Sequence, residues 1–280
     1  MTETPNKCQL TDEEIKAYFS GDHLYGDDFD VKSIEQWFEA EREGYADLGA
    51  RDQEDYSYSY HALNQVLGFR YLPTRQFKHA IGLGSAYGDE FMPIVDRLDQ
   101  ITIIEPSDEL SRPNQLKGVN LEYIKPEISG QISMSDNSAD LCLSLGVLHH
   151  IPNITTVVNE CARCLEPGGY MIVKEPIVSM GDWRKPRRGL TANERGIPKA
   201  YLINMLGEAG FEIVAINCFN LFFVRRLSKL LKTGCYSSSW MTRFDVLISK
   251  LLGWNYRYHR TSLFSKFAPA SIYVVAKKAG

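Results

Sequence analysis

The stretch His79-Ala80-Ile81-Gly82-Leu83-Gly84-Ser85-Ala86-Tyr87-Gly88-Asp89-Glu90 reads as a short apolar strand, His79 to Leu83, that runs into a glycine-rich turn and then into a helix beginning near Asp89. Missing side chains at such a turn let backbone amides approach a ligand closely, and the same glycines also serve a tight turn with no ligand. The next strand, Ile101 to Ile104, ends in Glu105-Pro106, about two dozen residues after Gly82. In an open α/β sheet a carboxylate there is where a ribose diol is held. Glycine turn and acidic strand end together point to a nucleoside ligand. A dinucleotide fingerprint needs a third small residue where Tyr87 stands, and tyrosine obstructs that helix–strand contact. S-adenosylmethionine (SAM) has no pyrophosphate to cradle, so it tolerates the departure.

Working outward, apolar strands alternate with amphipathic segments from Phe77 on, which reads as repeated βα units and a mostly parallel, Rossmann-like seven-stranded sheet with helices on both faces. The further strands are Leu121 to Ile124, Leu141 to Leu145, Tyr170 to Val173, Phe211 to Ile216 and Ser271 to Ala276, with helices between the first six. The clearest helix runs from Ile154 to about Leu165, and Pro167-Gly168-Gly169 turns the chain into the next strand. Another spans Lys199 to Ala209 and stops at Gly210. Upstream, Thr11-Asp12-Glu13-Glu14 has the form of a capping box, and Ile34, Trp37 and Phe38 fall at helical spacing. The domain reading is a helical N-terminal extension or lid over 1–74 and a SAM-binding domain over 75–280, with a helical insertion at about 221–268 before the last strand.

Five segments in order resemble the class I SAM-dependent methyltransferases, type 11-like, in the small-molecule and sugar branch. They are Ile81 to Ala86, Ile104-Glu105-Pro106-Ser107, Ser135 to Leu141, Leu145-Gly146-Val147-Leu148-His149-His150-Ile151-Pro152, and Leu165 to Gly169. The resemblance covers about Phe77 to Phe219, with the last strand after the insertion. It implies that Gly82 and Gly84, with Ser85 and Ala86, face the methionine part of SAM, that Glu105 and the adjoining Pro106 hold the ribose, that Ile128-Ser129 meets the adenine, and that Gly146 lies beside the sulfonium. Ala80 and Ala86 depart from the family, which usually has an acidic residue and a glycine there.

Methyl transfer from a sulfonium is an in-line displacement, and a hydroxyl acceptor also needs its proton removed. His149 and His150 follow the fourth strand at its carboxyl edge, and histidine titrates in the range that suits a base. Either one also suits a purely structural role in ordering the loop. In sugar O-methyltransferases that this stretch resembles, the first histidine is the base and an acidic residue after the fifth strand orients it, here His149 and Glu175. Tyr56, Tyr58, Tyr60 and His61 lie where the family often has a helical cover, as aromatics over the site or as core. Trp183, Arg184, Arg188 and Arg195 form a basic loop that suits a phosphate or carboxylate on the acceptor. The loop from Arg188 to Pro198 resembles that of methyltransferases of surface-polysaccharide and sugar modification, which implies a sugar hydroxyl on a nucleotide- or lipid-linked glycan.

The chain has 280 residues, 44% hydrophobic and 24% charged, enough for a full core without metals or disulfides. Net charge of −4 argues against a nucleic-acid binder, and six scattered cysteines give no disulfide framework. No metal is implied, since Cys161 and Cys164 lie within a helix and no second ligand pair follows. The first residues lack a signal sequence and no run has the length of a membrane span, so the expected setting is cytoplasmic, or the inner face of the membrane. Charge is uneven: sixteen acidic against five basic residues lie between Met1 and Tyr60, and nine basic against one acidic between Leu221 and Lys266. That basic, aromatic insertion (221–266) suits peripheral membrane contact, an anionic chain, or a capping or dimerising subdomain in a homo-oligomer. The alternative to catalysis is a SAM- or nucleotide-binding regulatory or scaffold protein, kept open by Ala80 and Ala86.

Overall fold

The computed structural model describes residues 10–48, 58–111, 113–232 and 234–280. Eight strands form one sheet: β1 (Ala80–Leu83), β2 (Gln100–Ile104), β3 (Gln115–Leu116), β4 (Val119–Ile124), β5 (Ala139–Leu145), β6 (Leu165–Pro176), β7 (Phe211–Phe219) and β8 (Ser271–Lys278). Their order is β3-β4-β2-β1-β5-β6-β8-β7. β4, β2, β1, β5 and β6 run parallel; β8 runs antiparallel to β6 and β7, and β3 antiparallel to β4. β1 and β5 are buried along their whole length, as strands covered on both faces must be. Alternation along them feeds two layers: Ile81, Leu83 and Cys142 join one core with α4 (Ile154–Cys164) and α5 (Lys199–Glu208). Ala80, Leu141 and Leu143 join the other with α3 (His61–Leu67).

The seven expected strands are present, and the eighth is the two-residue β3, which sequence periodicity cannot reveal. It pairs with β4 across Lys117-Gly118, both at positive φ (48° and 90°), the signature of a tight hairpin turn. Three expectations are corrected. The segment after the glycine turn, Asp89–Arg97, is a 3-10 helix, and Pro93 inside it disfavours the α form because its ring would clash with the carbonyl four residues back. No helix joins β2 to β4 or β4 to β5 among the described residues; Pro106 and the hairpin occupy the first connection, and Pro126, Gly130 (φ 88°) and Asn137 (φ 53°) break the second. Pro167-Gly168-Gly169 lies inside β6, whose pairing with β5 is irregular there.

At the N-terminal side, α1 (Asp12–Ser20) starts with the reciprocal capping box of Thr11 and Glu14. α2 (Val31–Leu48) lies over the carboxyl edge of the sheet, where Trp37 Nε1 donates to the His150 carbonyl at 2.7 Å. The insertion holds α6 (Phe222–Leu230) and α7 (Ser239–Leu252). No helix among the described residues is long and apolar enough to cross a membrane.

Candidate active site

The parallel strands deliver β1, β2, β5 and β6 to one edge, and two cavities open there on either side of Gly146. The first is lined by Gly84, Glu105, Pro106, Ile128, Gly146 and His150, among others. The second, of about 580 Å³, includes Tyr60, Gly146, His149, Lys174, Glu175 and Arg225 in its wall. Gly84 (φ 59°) and Gly146 (φ 88°) adopt backbone that L side chains avoid, and a Cβ on Gly84 would meet Val147 at 2.7 Å. The glycines are thus demanded by the turn as well as by access.

Glu105 is buried at the end of β2. Its Oε2 accepts from the Ala86 N–H at 3.2 Å and its Oε1 from the Ser107 N–H at 3.1 Å. Burial raises its pKa, against those two bonds. Two oxygens offer about four lone-pair sites, so acceptor capacity remains for a diol at the cavity wall. The Glu105 carboxylate beside apolar Ile128 and Pro106, with no side chain at Gly84, makes an acceptor and apolar set that fits the nucleoside part of SAM.

His149 and His150, adjacent in sequence, face different cavities. His149 is buried; its Nδ1 lies 2.6 Å from Glu175 Oε2, while Glu175 Oε1 accepts the backbone N–H groups of Val147 and Leu148 at 2.9 and 2.8 Å. With Nδ1 donating to the carboxylate, Nε2 carries the lone pair; its nearest carboxylate oxygen, Glu194 Oε1 at 3.6 Å, is beyond hydrogen-bond reach. Burial, helped by the charge of His150, lowers the His149 pKa against the pull of Glu175 and Glu194. A neutral imidazole held by a carboxylate is equipped to accept a proton. His150 instead points Nδ1 at Glu41 Oε2 of α2, at 2.9 Å. His149, His150 and Glu194 have ligand atoms within 4.8 Å of one another, the arrangement among the described residues nearest to a metal-binding group.

Several expected contacts fall elsewhere. Gly82 lies behind Ser85, whose hydroxyl donates to buried Glu90, and neither Ser85 nor Ala86 lines either of these two cavities. Ser129 offers its carbonyl to Asn153 Nδ2 at 2.9 Å and leaves the lining to Ile128. The side chains of the basic loop are for the most part engaged within the protein. Arg195 is fully buried and donates to the carbonyls of Tyr25, Leu148, His149 and Pro152 at 2.7 to 3.2 Å, because a guanidinium fork can collect several acceptors at once. Arg184 is held by Asp12 and Asp182. Trp183 is stacked on Tyr25 in a buried aromatic cluster, centroids 4.8 Å apart. Arg188 is exposed and lines neither cavity. Tyr58 accepts from Asn64 Nδ2 at 2.8 Å and packs beside Tyr60, which does line the second cavity; Tyr56 lies outside the described residues.

The sequence reading missed Lys174, Arg225, Lys229 and Glu41. Lys174 lies with its Nζ 4.0 Å from the centroid of the Tyr60 ring, and burial lowers its pKa against Glu90 and Glu175. Its signal was available, a lysine directly after the apolar run Tyr170 to Val173 and beside Glu175. Arg225 and Lys229 reach the cavity from α6, and only tertiary packing brings that helix there.

Residues 81–173 match the family described as "Methyltransferase domain". Over 78 residues the chain is 28% identical to the ubiquinone biosynthesis O-methyltransferase of Xanthomonas oryzae pv. oryzae, covering 26% of this chain and 33% of that protein. The chain thus spans about a third of the length of the curated relatives it matches. Among solved structures, Burkholderia thailandensis 1,6-didemethyltoxoflavin-N1-methyltransferase, with 1,6-didemethyltoxoflavin and S-adenosylhomocysteine bound, superposes with a TM-score of 0.55 at 14% identity, over 88% of this chain and 91% of that one. The [4+2]-cyclase SpnF gives 0.52 at 15% identity, over 78% and 80%. At such identities the likeness is one of fold, and one fold hosts several chemistries.

Proposed function

We propose that this chain, whose residues 81–173 match a methyltransferase domain, is a SAM-dependent methyltransferase that methylates a hydroxyl of a small-molecule or glycan acceptor, in the first place a sugar hydroxyl. The observation that carries the reading is the His149–Glu175 pair beside Gly146, where the two cavities meet.

SAM bound in the first cavity would supply an electrophilic methyl group. The residues of this chain do the rest. Glu105 accepts the ribose hydroxyls, and Gly84 and Gly146 keep the wall free of side chains. The second cavity, in the size range of small-molecule sites, takes the acceptor. His149 Nε2 would take the proton of an acceptor hydroxyl held in the second cavity as that oxygen is methylated. Glu175 stabilises the imidazolium so formed. Lys174, Arg225 and Lys229 give this cavity a basic character, which suits an acceptor carrying phosphate or carboxylate, lipid-linked or free.

Calorimetric titration with S-adenosylhomocysteine, with NADH as control, tests the cofactor assignment: micromolar binding that is lost in Glu105→Ala is expected. Binding of NADH in preference overturns it. Turnover is then screened on phosphorylated and lipid-linked sugars, and binding without turnover on any hydroxyl acceptor moves the protein to a non-catalytic, cofactor-binding role. Transfer confined to a neutral, phosphate-free small molecule removes the glycan part of the reading.

A further inference from the structure

The insertion between β7 and β8 carries an apolar face outward. On α7 the exposed side chains Trp240, Phe244, Leu247 and Leu251 recur at i, i+4, i+7 and i+11, one stripe of the helix. The opposite side, turned into the protein, holds Thr242, Asp245 and Ser249, all fully buried, and the hydroxyls of Thr242 and Ser249 find no hydrogen-bond partner. Met241, Val246, Ile248 and Leu252 of the same helix pack against the core, so the outer stripe is apolar surface beyond what the packing of α7 uses. The stripe continues past the helix: Trp254 is 70% exposed, Phe264 packs against it at 6.0 Å, and Phe267 carries the surface to Phe222 of α6 at 5.1 Å. α6 adds Leu230, 79% exposed. A connected apolar surface of this kind marks an interaction site.

Charge selects the occupant. Residues 221–266 hold nine Lys and Arg and a single acidic residue, Asp245. Its carboxylate is spent inside on the backbone N–H groups of Asn220 and Leu221, at 2.7 and 3.1 Å. Of the nine cations all but Arg260 are exposed. Arg243 and Lys250 sit about 60–80° round α7 from Trp240, where long stems pass beside an apolar stripe and leave their charges at its rim. A second copy of this chain would set like charges against each other across a two-fold axis. An anionic bilayer meets both features: acyl chains for the stripe and headgroups for the cations.

We infer that residues 221–267 dock the protein on an anionic lipid surface, with the Trp240–Leu251 stripe and Trp254 entering the interface. α6 also supplies Arg225 and Lys229 to the cavity holding His149, so a lipid-anchored acceptor reaches the dyad along this helix. That last clause rests on the acceptor role proposed for the cavity.

The test is cosedimentation of the full chain with phosphatidylcholine vesicles, with and without phosphatidylglycerol. Binding to the anionic vesicles that weakens with salt is expected, together with quenching of tryptophan emission by brominated lipid; Trp37 and Trp183 are buried and do not contribute. Arg243→Gln and Lys250→Gln should each weaken binding about fivefold. Trp240→Ser with Leu251→Ser should weaken it by more than about tenfold. S-adenosylhomocysteine titration of the same variants should be unchanged, so a failure of docking and a failure of the cofactor assignment are read separately. Equal binding to both vesicle types, or to neither, overturns the inference. So does a dimer in light scattering that Trp240→Ser dissolves in a protein that ignores vesicles.

Discussion

At the scale of single residues, the site separates groups that act from groups that hold. His149 is neutral near pH 7 because burial and the neighbouring His150 disfavour its charged form more than Glu175 favours it. A base must be deprotonated, so kcat/KM should rise with pH through an inflection below the ordinary 6.5 of histidine. His149→Gln should lower kcat by about 10²–10⁴-fold without weakening S-adenosylhomocysteine binding. Glu175→Gln removes the charge that raises the His149 pKa, so in a stopped-flow pH series the acid limb should move lower still while the rate falls. A profile that keeps its inflection in both variants would remove His149 as the base. Arg195 belongs to the other class, since it ties together Tyr25, the His149 loop and Pro152 through carbonyls alone. Arg195→Met removes four side-chain hydrogen bonds to buried carbonyls, although those of Leu148, His149 and Pro152 keep a backbone donor, and the urea midpoint should fall by an amount corresponding to roughly 2–4 kcal/mol, with the m-value unchanged.

At the scale of elements, end contacts decide whether a helix belongs to the fold. α7 packs Met241, Val246, Ile248 and Leu252 against the core and is also tied to it by Asp245, which caps the start of α6 through Asn220 and Leu221 and accepts from the Tyr236 hydroxyl at 3.2 Å. Asp245→Ala should cost about 2–4 kcal/mol and raise hydrogen exchange first in α6 and α7, with the sheet protected. Uniform loss of protection across the sheet would mean that the insertion is part of one cooperative core. The 3-10 segment from Asp89 to Arg97 illustrates the opposite case, in which one proline overrides an otherwise helical pattern.

At the scale of the whole molecule, the N-terminal cover, the sheet edge and the 191–195 loop meet at Glu41. Its carboxylate binds His150 Nδ1, the Thr191 hydroxyl and the Asn193 N–H. Burial pushes its pKa up, yet those three bonds outweigh it and hold the pKa below the ordinary 4.5. A carboxyl with a depressed folded pKa stabilises above its unfolded pKa, and that contribution is lost as pH falls through the folded value. The closure should therefore loosen only below about pH 4.5, and Glu41→Ala should reproduce the acid state at neutral pH. The expected readout is about tenfold weaker S-adenosylhomocysteine binding with little change in global unfolding. Unchanged affinity would separate α2 from the cofactor site.

Periodicity and punctuation in the sequence determined the seven long strands, α4, α5 and the capped α1, because their burial patterns repeat locally and caps are local chemistry. The same local logic marked Gly84, Glu105 and the two histidines at the carboxyl edge, since strand ends in a parallel sheet converge on one edge whatever the remainder does, while the roles of Gly146 and the pairing of His149 with Glu175 came from the family resemblance. Tertiary structure alone decided which cation serves what. Arg184 and Arg195 read as ligand-binding in a basic loop, and packing turned one to Asp12 and Asp182 and buried the other among carbonyls. Lys174, Arg225 and Lys229 came to the second cavity from β6 and from a helix about fifty residues further along the chain. A long side chain's function depends on which partners reach it first, and those partners are assigned by contacts distant in sequence, which no local pattern encodes.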